Sequence, residues 1–301
     1  MPRGHPHRLV LALYLLGANA LWGTSFVATK IALSGFPPMT VMWMRWMVAT
    51  LVFLPFWRRV PRPQYRRGDW KLLLLAAAFI PCLYYLLEGY ALRYTTSGQA
   101  GVISAVYPLL VGVGAWIFLK ERLSRRGAVG IVVSLAGVVL LTLSGPVQET
   151  ASNPVLGNLL EFLAMLSGAG SALAIKRLSV RYSAWFLTGM QAAVGCVFFL
   201  PFALASGSGA WTEAPLSAWA SVLYLGTLVS LGSWGLYNSA LVRMPANKAA
   251  LTVNLIPGIA LLAGWALRGE TISLAQLGAC VLIVAAVVYA ETGKDESTRN
   301  G

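Results

Sequence analysis

Runs of about twenty apolar residues, each long enough to cross a ~30 Å hydrocarbon core, recur from one end of the chain to the other. The runs cover residues 10–33, 38–57, 69–92, 97–119, 127–145, 155–179, 183–205, 217–241, 247–267 and 273–290. A helix of a soluble domain carries an apolar stripe and a polar face, whereas these runs are apolar all round and leave nothing for water. The pattern predicts an all-α integral membrane protein with ten transmembrane helices.

Composition agrees: 57% of the 301 residues are hydrophobic and 11% charged, where a soluble domain has about 25% charged residues. The net charge of +13 raises the question of nucleic acid, which the placement of the charge answers. Alternate connections hold Arg3 and Arg8; Arg58, Arg59, Arg62, Arg66, Arg67 and Lys71; Lys120, Arg122, Arg125 and Arg126; Lys176, Arg177 and Arg181; Arg243 and Lys248; and Lys294 and Arg299. The opposite side has Lys30, Arg93 and Arg268. A split of 19 to 3 follows the positive-inside rule, with both termini cytoplasmic and the basic charge facing anionic lipid. Nucleic acid is excluded as a partner. Cys82, Cys196 and Cys280 are dispersed, fall within predicted helices as buried thiols, and form neither a disulfide framework nor a metal spacing. Ala18-Asn19-Ala20 resembles a signal-peptidase site, but the apolar run continues unbroken to Leu33, so the first helix is expected to be retained.

The chain repeats itself. At a shift of 146, Phe53-Leu54-Pro55-Phe56 meets Phe199-Leu200-Pro201-Phe202, Ser25 meets Ser171 and Lys30 meets Lys176. At a shift of 149, Trp70 meets Trp219, Ala91-Leu92 meets Ala240-Leu241, and Ala100 meets Ala249. The same register brings Pro108 to Pro257, Trp116 to Trp265, Glu121 to Glu270 and Ser124 to Ser273. Two repeats follow, over 1–150 and 151–301. Five helices per repeat force the second to enter the membrane from the opposite side, and the charge agrees. The 57–71 connection holds six basic residues and its repeat partner, 205–219, none. Inverted repeats are the sign of a secondary transporter whose halves rock about a midplane site.

Several residues carry a family resemblance. The first helix reads Asn19-x-x-Trp22-Gly23 with Lys30 near its end, and the second carries Arg45. The third-to-fourth junction reads Tyr90-Ala91-Leu92-Arg93-Tyr94-Thr95-Thr96-Ser97, and the fourth helix has Pro108 and ends at Lys120-Glu121. Together they resemble the drug/metabolite transporter superfamily, in its ten-helix EamA-type branch, over nearly the whole chain. Within it the chain is similar to bacterial YddG-type exporters of aromatic and other neutral amino acids. The resemblance implies a multi-pass protein of the bacterial inner membrane, working as a monomer without cofactors on an amino acid by alternating access. Gly168 stands opposite Trp22 and Gln191 opposite Arg45, so any role of those two belongs to the first repeat.

Ionisable residues within a membrane are functional candidates, because burying a charge is costly unless it is paired or wet. Glu88 and Glu161 are the carboxylates well inside the bilayer, and each suits a substrate or proton site or an ion pair with Lys30 or Arg45. Glu161, nearer the outer surface, is expected to be the more easily solvated. Arg45 either serves the site or braces its helix against a carbonyl or a glutamate; Lys30 either serves it or snorkels to the interface. Tyr84 and Glu88 share one helix face, with Tyr85 beside them and Pro81 a turn earlier. Their repeat partners are Ser230, Ser233, Trp234 and Tyr237, followed by Asn238. Two polar-aromatic faces at one register suit a cavity wall; an interfacial belt is the alternative for Tyr237 and Asn238. Asn19, Trp22, Phe26 and Lys30 form a stripe on the first helix, and Gly23 beside it permits close helix approach. Gln99, Tyr107 and Pro108 answer to Lys248, Ile256 and Pro257, with Asn254 nearby. The substrate-binding candidates are therefore Asn19, Trp22, Phe26, Tyr84, Tyr85, Glu88, Gln99, Tyr107, Trp234, Tyr237 and Asn254, and Pro81, Pro108 and Pro257 are the hinge candidates. Glu121 and Glu270 are assigned to structure, and Ser273-x-x-Gln276 reads as a capping box.

An intramembrane enzyme would need a base, a metal or a carboxylate dyad. His5 and His7 lie in the N-terminal tail, Asp69 and Asp295 at helix or chain ends, and no glycine-rich phosphate loop is present. A channel suits one polar stripe per subunit better than two matched, kinked halves. Aromatic faces favour a neutral amino acid with an apolar side chain over a sugar phosphate; amphipathic cationic drugs or other metabolites are the alternative. Single cysteines placed within 144–153 of a Cys-free variant should react with an impermeant thiol reagent from outside the cell. Labelling from the cytoplasmic side alone would reverse the topology.

Overall fold

A computed structural model of the protein describes residues 5–61, 63–94, 103–121, 123–144, 153–206, 211–268 and 272–291. These residues contain no strand and form ten helical spans. They are α1 (His5–Leu33), α2 (Pro38–Phe53, ending in a 3-10 turn Leu54–Arg59), and α3 (Asp69–Ala77, Ala78–Leu83 and Tyr84–Tyr94). Next come α4 (Tyr107–Gly114 with Ala115–Leu119), α5 (Arg125–Leu143), α6 (Pro154–Leu178) and α7 (Ala184–Ala205). The last are α8 (Leu216–Tyr224, Leu225–Ser233 and Trp234–Leu241), α9 (Ala246–Leu251, Thr252–Leu255 and Ile256–Arg268) and α10 (Leu274–Glu291). Six spans are long and apolar enough to cross a bilayer on composition alone, and shorter apolar helices lie at Tyr107–Leu119 and Leu274–Ala290. Arg125 and Arg126 occupy the first turn of α5, and a 3-10 turn interrupts α9. On α10, Leu277, Val281, Val284 and Val288 follow steps of four and three and stay exposed. An apolar exposed row of that kind is what lipid solvates.

Contacts divide the chain into two compact units, residues 1–85 with 174–243 and residues 86–173 with 244–301. Each unit draws helices from both halves of the sequence, so the division near residue 150 describes the repeat and not the packing.

In the first unit α2 lies against α7 and α8, and α1 runs along α8. One core joins Ala28, Ala32 and Phe36 of α1 and its following turn, and Val41 and Met44 of α2, to Ala218, Val222, Leu225 and Val229 of α8. A second joins Met42, Trp46, Ala49 and Phe53 to Ile80, Tyr85, Ala192, Phe199 and Leu231. Lipid tails are as apolar as leucine, so close fit rather than water expulsion holds such helices together. Gly195 shows the fit: a Cβ there would lie 2.7 Å from Trp46 Cγ and 2.8 Å from Pro81 Cγ. At one end of this unit Asp69 ties two connections together. Arg181 Nη2 pairs with Asp69 Oδ1, Arg181 Nε and the Tyr182 hydroxyl each donate to Oδ2 at 3.1 Å, and the Arg66 amide donates to Oδ2 at 3.0 Å. Burial, followed by the Asp69 carboxylate, pushes the Tyr182 hydroxyl above its ordinary pKa.

In the second unit α10 packs along α5, and α4 packs against the first turns of α9. Gly137 of α5 sits where a Cβ would be 2.7 Å from Ile283 Cγ1. Both structural assignments made for the polar ends of these helices hold where they are described. Ser273 N donates to Gln276 Oε1 at 2.9 Å and Gln276 N to Ser273 Oγ at 3.2 Å, a reciprocal capping box. Glu121 Oε2 accepts the Ala246 amide at 2.8 Å and so caps α9; Glu270 lies outside the described residues. The cysteines are free, but only Cys82 is buried as expected; Cys196 and Cys280 are half-exposed, because helix position alone does not choose the packed face.

Filling a tight helix contact should be costly. Gly195→Val is expected to destabilise the first unit by about 1–3 kcal/mol, as overpacking does. A lowered melting temperature of the detergent-solubilised protein would show it, and an unchanged one would mean that α2 and α7 can part freely.

Candidate functional site

The first unit is organised around a break in α3. Proline has no N–H and disfavours α geometry in the residue before it. Ile80, before Pro81, is accordingly extended, with φ −129° and ψ 123°, inside a widened segment, Ala78–Leu83. The freed Ile80 carbonyl accepts the Gln191 side-chain amide of α7 at 2.9 Å. Gln191 in turn faces Asn238 of α8, whose Nδ2 donates to Thr188 Oγ1 at 3.0 Å and to Gln191 Oε1 at 3.4 Å. All three side chains are buried. A second widened segment, Leu225–Ser233 in α8, spans the repeat partners of the one in α3, and the Ser233 hydroxyl bonds back to the Val229 carbonyl. Such bulges inside helices are frequent at functional sites.

Around these breaks lies an aromatic cluster contributed by α1, α2, α3 and α8. Trp22 meets Trp234 edge-on at 4.8 Å between ring centroids and Tyr237 at 5.2 Å. Trp234 Nε1 donates to the Tyr85 hydroxyl at 3.2 Å. Tyr85 touches Tyr84 at 5.0 Å and Trp46 at 5.3 Å. Arg45 of α2 completes the group, with its Cζ 4.8 Å from the Tyr85 ring centre and 5.9 Å from that of Trp46. Its Nε donates to Ser230 Oγ of α8 at 2.7 Å. Gly226, one turn before Ser230, permits this approach, since a Cβ there would lie 2.5 Å from Val48 Cβ and 2.9 Å from the Arg45 carbonyl oxygen.

Of the residues expected at a site, Asn19, Trp22, Tyr84, Tyr85, Trp234, Tyr237 and Pro81 lie in the first unit. Trp22, Tyr85, Trp234, Tyr237 and Tyr84 are brought into one cluster, and Asn19 is buried on α1. Tyr237 and Asn238 are 1% and 0% exposed, which overturns the interfacial-belt alternative for them: α8 turns that face inward at a depth the sequence does not specify. Arg45 is braced by a serine hydroxyl and two rings; among the described residues it pairs with neither a carbonyl nor a glutamate, contrary to the bracing alternative.

Glu88, Tyr107, Pro108, Asn254 and Pro257 belong to the second unit. Tyr107 and Pro108 are buried and open the regular part of α4, and Pro257 follows the 3-10 turn of α9. Asn254 is buried and donates to Ser134 Oγ of α5 at 2.6 Å, while its Oδ1 has no partner among the described residues. Glu161 corrects an expectation: it is only 3% exposed, with no hydrogen-bond partner for Oε2 among the described residues, whereas Glu88 is half-buried. Distance along α6 therefore did not set its solvation. The side chains of Phe26 and Lys30, and Gln99 as a whole, lie outside the described residues. Among the described residues no three His, Cys, Asp or Glu side chains gather as a metal site would require.

Sequence reasoning places Gln191 only as the counterpart of Arg45 in the repeat and misses its role as donor to Ile80. The signal was available. A proline inside an apolar run frees a carbonyl that hydrocarbon cannot satisfy, and an intramembrane amide is the natural donor.

Helices of this length and polarity, with broken spans that carry aromatic and polar side chains, define a multi-pass membrane protein. The chain belongs to the EamA-like transporter family, whose model matches residues 9–143 and again 155–291. It is a membrane transporter and not an enzyme. It is 28% identical over 293 residues to an uncharacterized transporter of Archaeoglobus fulgidus, covering 95% of this chain and 97% of that one. It is 26% identical over 247 residues to YetK, an uncharacterized transporter of Bacillus subtilis, covering 81% and 75%. A probable terminal-alkyne amino-acid exporter of Streptantibioticus cattleyicolor is 26% identical over 260 residues, covering 83% and 82%. A crystal structure shares the fold with a TM-score of 0.75 at 20% identity, covering 93% of this chain and 96% of that one.

Gln191→Leu removes the donor to Ile80 and the acceptor for Asn238 while keeping volume. An unsatisfied buried polar group costs about 1–3 kcal/mol, so the melting temperature should fall. Equal melting of variant and parent would show that the Ile80 carbonyl finds another donor.

Proposed function

We propose that the protein is a secondary transporter that exports aromatic and other neutral amino acids with apolar side chains by alternating access. The observation that carries this reading is the cluster of Trp22, Tyr84, Tyr85, Trp234 and Tyr237 about the two broken helices α3 and α8. Flat rings with polar tips take up an apolar or aromatic side chain by edge and face contact, and the broken backbone beside them offers the hinge that alternating access uses. The similarity to a probable terminal-alkyne amino-acid exporter supports an amino acid as cargo. In this reading Pro81 is the hinge of the first unit, where Asn19 joins the substrate-binding set; Pro108 and Pro257 are the hinges of the second unit, whose own binding candidates are Glu88, Tyr107 and Asn254.

The protein acts as a monomer in a bacterial inner membrane with both termini cytoplasmic. The Asp69–Arg181 link supports that topology, since it joins two of the connections that carry the basic excess.

Proteoliposomes loaded with unlabelled phenylalanine, tryptophan or leucine should accumulate the labelled amino acid by counterflow, saturably. Alanine at Trp22, Tyr85 or Trp234 should lower uptake roughly tenfold, about 1.4 kcal/mol of binding, in protein that remains folded. Counterflow with amphipathic cations and none with amino acids would replace the proposed substrate. A flux that never saturates would replace the carrier with a channel.

A further inference from the structure

Arg45 is a buried cation that meets no carboxylate among the described residues. It lies in the middle of α2, 4% exposed, and among the described residues its only hydrogen bond is from Nε to Ser230 Oγ at 2.7 Å. The faces of Tyr85 and Trp46 cover the guanidinium at 4.8 and 5.9 Å. The remaining donors are on the two Nη nitrogens. Neither has a partner among the described residues, and neither is among the buried polar atoms sealed away without one, so the small exposed area of this side chain reaches its Nη end.

A guanidinium stays protonated in proteins and offers a planar fork matched to a carboxylate. Leaving that fork unpaired within a membrane is costly, and intramembrane charges of this kind mark substrate pathways. Two features prepare it for an external anion. Ser230 fixes the Nε edge and leaves the Nη edge free. Tyr85, whose ring covers it, also accepts the Trp234 indole N–H through its hydroxyl and so joins it to Trp22 and Tyr237. The same few side chains thus place a free cationic fork beside an aromatic surface, which is the polarity of an amino acid with an apolar side chain.

We propose that Arg45 recognises the substrate's carboxylate, with Ser230 as the residue that positions its guanidinium and the Tyr85–Trp234–Trp22 rings taking the side chain. This rests on the amino-acid reading above and adds to it the group that reads the carboxylate. Removing the negative charge from the substrate, rather than shortening its side chain, should then be the more harmful change.

The test compares phenylalanine with phenylalaninamide, which keeps the ring and the ammonium and replaces the carboxylate by a neutral amide. Competition against labelled phenylalanine counterflow in proteoliposomes gives an apparent affinity for each. The wild-type protein should prefer the acid by roughly tenfold to a hundredfold, the range of a charge-assisted hydrogen-bonded pair of about 1.5–3 kcal/mol. Arg45→Gln should weaken the acid by that factor and collapse the preference towards unity, and Arg45→Lys should recover part of it. Ser230→Ala should weaken the acid less and shrink the preference without abolishing it. Equal affinity for acid and amide in the wild-type protein overturns the proposal without any variant, so a misfolded Arg45→Gln protein does not protect it. An acid preference that survives Arg45→Gln in folded protein overturns it as well, and in both cases amino-acid transport itself stands. Absence of counterflow with every amino acid in the wild-type protein overturns the transport reading, and the assignment of Arg45 falls with it.

Discussion

A backbone carbonyl released inside a hydrocarbon layer must find a donor from the protein, since no water is there to supply one. Pro81 turns Ile80 out of helical geometry and so takes its carbonyl out of the ladder, about 16 Å along α3 from Asp69 at 1.5 Å per residue, and Gln191 supplies the donor. Much of the first unit follows from that one bond. It ties α7 to α3, aligns Asn238 and Thr188 behind it, and holds α3 open where Tyr84 and Tyr85 turn into the aromatic cluster. A helix broken without its own donor would have had to close up or move out of the lipid.

Close packing does the rest, because lipid offers little hydrophobic reason for helices to associate. Small residues lie where the helices come nearest: Gly195 under Trp46 and Pro81, Gly226 under Val48, Gly137 under Ile283. The contact at Gly226 has a consequence beyond packing. It brings α2 and α8 near enough for Ser230 to reach Arg45, so a choice of side-chain size sets the position of a charge.

Charge is used sparingly and in two ways. At the connections it is abundant, basic and partly tied down, as in the link of Arg181 with Asp69. Within the spans it is rare and held in different settings: Arg45 beneath aromatic rings with a hydroxyl on one edge, Glu161 enclosed, Glu88 half-buried. Outside the membrane these groups would be ordinary; inside it their solvation has to be arranged residue by residue.

The sequence by itself determined the class of protein. Ten apolar runs leave no fold but a helical one in a membrane, and repeated prolines, tryptophans and a glutamate in one register announce the two-fold pattern. The capping box at Ser273 and Gln276 was legible because its partners are three residues apart. So was the break before Pro81, because proline imposes it locally. What only the tertiary structure decided was every pairing between distant residues. Gln191 meets Ile80 across 111 residues and Arg45 meets Ser230 across 185. The burial of Glu161, the inward turn of Tyr237 and Asn238, and the grouping of helices from both sequence halves into each unit belong to the same class. The physical reason is that a helix apolar on all sides has no polar face to orient it. Which face meets lipid and which meets protein is settled by side-chain fit and hydrogen-bond satisfaction between helices, and neither is encoded along any one of them.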